Sequence, residues 1–188
     1  MDLFGVPIQW KDTELNNDAI ADYCFSMMNK SEGRKLSNLG GWQSNDLESM
    51  DAPLDELAKT IEDSVNDFAS ELGLPEQKTV SAWVNINGYK DFNIEHIHPS
   101  FHLAGVYYVQ THENCGDIAF SHPNKDILSA YWWPHIANTT DSRLAMSWKV
   151  PAKEGRLYIF PSWLYHRVEP NLDESKKRIS IAWNSVAK

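Results

Sequence analysis

The feature that most limits what this chain can fold into is a change of hydrophobic period near residue 79. From there Val80, Ala82, Val84 and Ile86 alternate with Ser81, Trp83, Asn85 and Asn87. A period of two places successive side chains on opposite faces of a strand. Further short runs of strand character follow at 103–110, 116–120, 144–150, 156–160, 164–169 and 178–184, separated by Gly, Pro and Asn turns. Many short strands with turns between them point to a sandwich or barrel rather than a βαβ fold.

Before residue 79 the period is that of helices. Ile20, Tyr23, Cys24, Met27 and Met28 form one apolar helix face, with Asp12 or Thr13 as the expected cap. A longer stripe runs through Leu54, Leu57, Ala58, Ile61, Val65, Phe68, Ala69 and Leu72. Asp51 is its expected N-cap, Pro53 suits its first turn, and Gly73 and Pro75 stop it. The expected class is therefore α+β, with helical N-terminal support over 1–76 and an antiparallel β core over 77–188 of one domain. Residues 1–10, with Leu3, Phe4, Val6, Pro7 and Ile8, read as an edge strand or extended arm. The segment 31–52 reads as a loop that Trp42 plugs onto the core. The segment 123–141 fits no regular pattern, yet it holds Tyr131, Trp132, Trp133 and His135. Long loops in compact domains are functional or disordered, and these aromatics argue against disorder.

Composition excludes several function classes. The chain has 188 residues, 42% of them hydrophobic, and eight Trp, enough to bury a core. The formal net charge is −9 and no block of Lys or Arg stands out, so a nucleic-acid surface is not expected. Cys24 and Cys115 are the only cysteines. Two isolated thiols give no disulfide framework and no cysteine zinc site, and they suit a reducing cytoplasm. No signal peptide is read at the N-terminus, and no apolar run approaches the ~18 residues of a membrane span. The oligomeric state is left open.

The chemistry-bearing residues begin with His96-Ile97-His98, which follows a strand-like run. Side chains at i and i+2 of a strand share a face, and two imidazoles so placed can converge on one metal ion. On spacing alone, two solvent-facing histidines are the commoner arrangement. A third candidate, His166, starts a strand after the apolar run Phe160-Pro161-Ser162-Trp163-Leu164-Tyr165. His102 ranks below these three, His112 and His122 are expected near solvated turns, and His135 sits among the loop aromatics. Near the C-terminus Arg178, Ser180, Ala182 and Asn184 share one strand face, opposite Ile179, Ile181 and Trp183. An inward Arg with a hydroxyl two residues on can receive a carboxylate through parallel hydrogen bonds. The alternative, an Arg paired with one of the protein's own acidic residues, is open at this point.

The order His-x-His, His, Arg-x-Ser resembles that of the Fe(II)- and 2-oxoglutarate-dependent oxygenases, and in particular a bacterial and phage branch of that superfamily. The resemblance extends over nearly the whole chain. It takes in Leu3–Ile8, Gly41-Trp42-Gln43-Ser44, Ala82-Trp83-Val84-Asn85, His96-Ile97-His98-Pro99, Gly105-Val106-Tyr107-Tyr108-Val109, Phe160–His166 and Arg178-Ile179-Ser180. It implies a double-stranded β-helix, or jelly roll, with Fe(II) at its open mouth. His96 matches the first metal ligand and His166 the distal one. Arg178 matches the residue that binds the far carboxylate of 2-oxoglutarate, assisted by Ser180 and Tyr108, with Asn85 and Asn87 lining the cosubstrate site. The implied activity is O₂-dependent hydroxylation of an unidentified substrate, a peptide or protein side chain such as prolyl being suggested by relatives of the fold. Trp132, Trp133 and His135 would then form a substrate-facing lip, the alternative being that they pack the end of the barrel. The enzyme would work in the cytoplasm, that of the host if phage-encoded.

One departure matters. The wider superfamily uses a carboxylate where His98 stands, completing a 2-His-1-carboxylate triad. Glu95 is not expected to replace it, because neighbouring strand residues face opposite ways. Three arrangements are open: His98 as third ligand, two histidines with water, or a carboxylate brought from elsewhere. Two other functions stand beside the oxygenase reading. One is a three-His non-haem iron dioxygenase that does not use 2-oxoglutarate; the other is a non-catalytic metal-binding jelly roll.

Overall fold

The computed structural model describes residues 5–188. In chain order it contains β1 (Gln9–Asp12), α1 (Asn17–Met28), β2 (Asn38–Leu39), β3 (Trp42–Gln43), α2 (Asp55–Glu71), β4 (Gln77–Asn87) and β5 (Phe92–His96). Then come β6 (Leu103–Gln110), β7 (Ile118–Ser121), α3 (Lys125–Trp132), β8 (Ser147–Val150), β9 (Arg156–Pro161), β10 (His166–Val168) and β11 (Arg178–Ala187). The strands form two antiparallel sheets. One runs β1-β9-β6-β11-β4-β3 and the other β2-β5-β10-β7-β8. Two facing antiparallel sheets with helices on one side are the double-stranded β-helix with N-terminal helical support that the strand pattern and the resemblance imply. The N-terminal part also contributes β1, β2 and β3 to the sheet edges.

The alternation along the strands sorts the core into two layers. Val84, Ile86, Tyr107, Leu157, Ile179, Ile181 and Trp183 pack with Ile20, Cys24, Leu57, Ile61, Val65 and Phe68 of the helices. The opposite faces of the same strands, through Ala104, Val106, Tyr108, Tyr158 and Phe160, meet Ile118 and Phe120 of the second sheet. Each fully buried aliphatic or Phe side chain here contributes roughly 1.5–3 kcal/mol. The α2 stripe is buried as its spacing demands, except that Leu72 is exposed at the helix end and Ser64 is buried with the stripe. Trp42 packs against the helical layer, and its indole N–H donates to the Ser31 carbonyl at 2.8 Å. It ties the 31–52 segment to the core as expected, although two short strands form inside that segment.

Several local expectations are corrected. The cap of α1 is Asn16, whose Oδ1 accepts from the Ala19 amide at 3.2 Å. Asp12 cannot serve, because β1 carries it into register with Arg156 of β9, where it accepts from that guanidinium at 2.6 Å. Thr13 instead donates its hydroxyl to the Gly155 carbonyl at 3.0 Å. α2 begins after Leu54 with no side-chain cap. Asp51 sits one turn too early, and its carboxylate accepts from the Ser49 hydroxyl at 2.8 Å. Of the N-terminal stretch read as an edge strand or extended arm, Gln9 and Trp10 open the edge strand β1, while residues 5–8 form no strand and Val6 and Ile8 pack against the inner layer; Leu3 and Phe4 lie outside the described residues. The segment 123–141 contains α3. Its Ile127, Leu128, Tyr131 and Trp132 recur at helical spacing, although none of its residues is buried. His112 is not freely solvated: half-buried, it meets Asn171 Oδ1 through Nε2 at 3.0 Å.

Candidate metal centre

Three histidines meet at one end of the sandwich. His166 opens β10 and is the direct cross-strand partner of His96, the last residue of β5. His98 lies past the end of that strand, so the pleat alone does not bring it in. Its backbone N–H donates to the Ser162 carbonyl at 2.9 Å, in the turn that leads to His166. Trp83 packs beside it, with ring centroids 5.7 Å apart. The three imidazole centroids are 4.4 to 5.2 Å from one another, and one ligand nitrogen from each lies within 4.8 Å of the others.

The hydrogen bonds of these rings determine which nitrogens are free. His96 Nδ1 lies 2.7 Å from the Ile94 carbonyl, and His166 Nδ1 lies 2.9 Å from the Leu164 carbonyl. His98 Nδ1 meets Asn184 Oδ1. A carbonyl or amide oxygen only accepts, so each Nδ1 carries the proton and donates. All three Nε2 lone pairs are left for a metal, as is usual when a metal-ligating His donates its other ring N–H to an oxygen. Burial pushes His98 down to about 4, against the opposing pull of the Asn184 hydrogen bond. Burial also lowers His96, and it takes His166 well below its ordinary value, with the neighbouring His96 and His98 acting in the same direction. The rings are therefore neutral at pH 7, as ligation requires.

Glu95 does not join them. Its carboxylate accepts from the Ser121 hydroxyl and, at 2.8 Å, from Lys125 Nζ, and these bonds hold it below the usual carboxylate range. Among the described residues the cluster contains no carboxylate.

The second half of the site lies on β11. Arg178 is 1% exposed. Its Nη1 donates to the carbonyls of Cys115, Gly116 and Glu169, the last two at 3.0 Å. Its Nε and Nη2 are buried without a partner. Leaving charged donors unsatisfied costs several kcal/mol unless a ligand meets them. The two nitrogens on one edge of the guanidinium form a fork matched to a carboxylate. This answers the alternative left open by the sequence: every hydrogen bond of Arg178 goes to backbone carbonyls, not to an acidic side chain.

Register sets a polar row beside the cleft, of which Asn85 and Ser180 line it and Tyr108 and Gln43 do not. Tyr108 of β6, Ser180 of β11, Asn85 of β4 and Gln43 of β3 are successive cross-strand partners. Directly opposed residues share a face, and all four are buried. The Tyr108 hydroxyl, Asn85 Oδ1 and Gln43 Oε1 have no partner. Burial pushes the Tyr108 phenol up, so it remains an O–H donor beside Arg178. The cleft is lined by His96, His98 and His166 together with Trp83, Asn85, Arg178 and Ser180. Asn87 is buried on the same face, as the cross-strand partner of Arg178, but it is not among the lining residues. Trp132, Trp133 and His135 are exposed and are not among the lining residues. Sequence reasoning missed Asn184 as a site residue, although it shares a strand face with Arg178 and Ser180; Gln43 lay in a segment read as a loop, where parity gives no signal. It also missed Gly116, whose part depends on a contact with Arg178 that leaves no local pattern.

The residues fit an iron and 2-oxoglutarate. Three neutral Nε2 donors face one point, and a buried, half-satisfied guanidinium with a phenol beside it suits an acceptor-only dicarboxylate. Residues 81–184 match the family model described as "Putative 2OG-Fe(II) oxygenase". Among solved structures, a Pseudomonas putida prolyl-4-hydroxylase is similar over 97% of this chain and 94% of its own, with a TM-score of 0.66 at 14% identity. A prolyl hydroxylase from Trichoplax adhaerens, in complex with a hypoxia inducible factor peptide fragment, is similar over 94% and 82%, with a TM-score of 0.62 at 16% identity. HygX from Streptomyces hygroscopicus, with nickel and 2-oxoglutarate bound, is similar over 97% and 84%, with a TM-score of 0.65 at 8% identity. No curated protein matches the chain in sequence.

Proposed function

The chain belongs to the 2OG-Fe(II) oxygenase family, and from that premise we propose that His96, His98 and His166 hold its iron while Arg178 anchors its 2-oxoglutarate. When bound, iron and 2-oxoglutarate supply O₂ activation coupled to decarboxylation of the cosubstrate to succinate, with oxidation of an organic substrate. The observation that carries the residue assignment is the Arg178 fork, buried and unpartnered at Nε and Nη2.

The chain's own residues bind, orient and exclude water. The three carbonyls on Nη1 hold the guanidinium in place, so its free edge is preorganised for the far carboxylate. Tyr108 and Ser180 add O–H donors to the same carboxylate. Asn85 lines the wall beside it, and Asn87 is the cross-strand partner of Arg178. Phe160, Ile118 and Val106 line the apolar side of the cleft and keep it dry. A three-His dioxygenase that did not use 2-oxoglutarate would leave the Arg178 fork buried with nothing to bind.

The substrate we propose is a peptide or protein side chain, prolyl among them. The support is the fold shared with prolyl hydroxylases and the exposed aromatics after β7. Tyr131, Trp132 and Trp133 are 78%, 49% and 55% exposed, and with His135 they form a lip such a chain could lie on. Two buried free thiols suit a reducing cytoplasm as the working compartment. The test is succinate release from 2-oxoglutarate by the Fe(II)-loaded protein, first without substrate and then with proline-containing peptides. Absence of both binding and turnover of 2-oxoglutarate would sink the residue assignments. Turnover that no peptide stimulates would sink the substrate class alone.

A further inference from the structure

The three proposed ligands are not held alike. His96 and His166 each donate Nδ1–H to the backbone carbonyl two residues earlier in the chain. Any sequence supplies those acceptors. His98 alone is held by a side chain, Asn184 Oδ1, which lies 86 residues away on β11. Asn184 is 5% exposed, and its Nδ2 donates at 3.1 Å to Oγ of Ser81, its cross-strand neighbour on β4. Both ends of this amide are therefore engaged, Nδ2 with Ser81 Oγ and Oδ1 with the imidazole. His98 is also the ligand that stands where the family pattern has a carboxylate.

We propose that Asn184 is a positioning residue for the metal centre, which holds His98 as the Nδ1–H tautomer and keeps the centre's third ligand neutral. The proposal rests on the three-His reading above. Three neutral imidazoles around a divalent ion leave a net charge of +2, where a carboxylate ligand would leave +1. Among the described residues Asn184 is the one side chain hydrogen-bonded to any of the three rings, so a charge placed there acts on the centre without replacing a ligand. A carboxylate there would accept the same hydrogen bond, place a negative charge behind His98 and raise its basicity. An apolar side chain would leave the ring free to turn or to change tautomer.

The test uses the whole chain with Co(II) alone as probe, read by titration and by the cobalt d–d absorption. Asn184→Leu is expected to weaken cobalt binding roughly ten- to hundredfold and to alter the spectrum. Asn184→Asp is expected to bind at least as tightly as wild type, with a shifted band. Ser81→Ala, which removes only the partner of Nδ2, is expected to keep the wild-type spectrum with a smaller loss of affinity. Thermal melting of the metal-free variants separates loss of fold from loss of ligand control. If Asn184→Leu binds cobalt like wild type with the same spectrum, the inference is overturned. It is equally overturned if Asn184→Asp falls as far as Asn184→Leu, because an acceptor role would have been kept. Should Asn184→Leu fail to fold, an unchanged cobalt spectrum in Asn184→Asp overturns the inference by itself. A wild-type protein that takes up no cobalt would instead bring down the three-His reading on which the inference stands.

Discussion

Arg178 Nη1 lies 3.0 Å from the Gly116 carbonyl, and a Cβ placed on Gly116 would come 2.7 Å from that same nitrogen. Gly116 also has φ of +86°, and its added Cβ would meet the Glu169 carbonyl oxygen at 2.2 Å. The backbone cradle of the arginine thus exists only with glycine at this position. Gly116→Ala should displace the guanidinium and weaken 2-oxoglutarate binding by about tenfold or more, as loss of preorganised hydrogen bonds to a charged group predicts. Quenching of tryptophan fluorescence by 2-oxoglutarate in the Mn(II)-loaded protein measures it. An unchanged affinity would mean that the cradle is not needed.

Arg178→Lys should not rescue the site. An ammonium cannot span three carbonyls on one side and present two parallel donors on the other. The expected loss of 2-oxoglutarate affinity is roughly a hundredfold, in line with 1.5–3 kcal/mol for charge-assisted bonds. Metal uptake should persist, because the histidines are held by other groups. Calorimetric titration with 2-oxoglutarate decides it, and retention of wild-type affinity would remove Arg178 from the cosubstrate site.

His166→Ala should abolish stabilisation by metal. Saturating a site at about a hundred times its Kd adds roughly 2.7 kcal/mol, which for a domain of this size moves Tm by about 5–10 °C. The wild type should show that shift with Co(II) or Ni(II), and His166→Ala should show none. An equal shift in both would place the metal elsewhere.

The metal-free protein should lose stability on acidification within one window. The His98 imidazole sits at about 4 in the fold, because burial disfavours its charge. Unfolded, it returns to its ordinary value of about 6.5. Above about 6.5 neither state binds the proton, and the contribution is constant. As pH falls toward 4 the unfolded chain binds the proton first, so stability declines, by on the order of 3 kcal/mol from this group alone. His96 and His166 are displaced in the same direction. Urea melts between pH 7 and pH 4 after chelation should show the decline, and His98→Gln should make it smaller, leaving the share of His96 and His166.

Cys24 should resist alkylation. It is fully buried under the helices, and burial pushes its thiol up to about 12. The thiolate is the reactive form. Iodoacetamide at pH 8 should therefore label Cys24 only as fast as the protein opens, with prompt labelling in denaturant. Rapid native labelling, read by peptide mass, would contradict the packing of α1.

Much of the site was legible because strand parity is a local property. Arg178 and Ser180 share a face, and Ile179, Ile181 and Trp183 share the other, in any fold that keeps 178–184 extended. That pattern alone separated pocket from core on β11. The helix caps were less legible, because Asp12 and Asp51 have the right chemistry but stand a few residues too early. α3 was missed because it is only eight residues long, although Ile127, Leu128, Tyr131 and Trp132 recur at helical spacing.

By itself the sequence determined where the chain changes period, which strand faces are apolar, and that His96, His98, His166 and Arg178 are the residues to watch. Only the tertiary structure decided which of them meet. The pairing of His166 with His96 follows from β10 lying beside β5. The bond from His98 to Asn184 joins residues 86 positions apart. The carbonyl cradle of Arg178 is built from Cys115, Gly116 and Glu169, which no spacing connects. Periodicity reports the environment of each residue along its own strand. Contacts between distant residues depend on sheet order and register, which are set only when both sheets have closed on their cores.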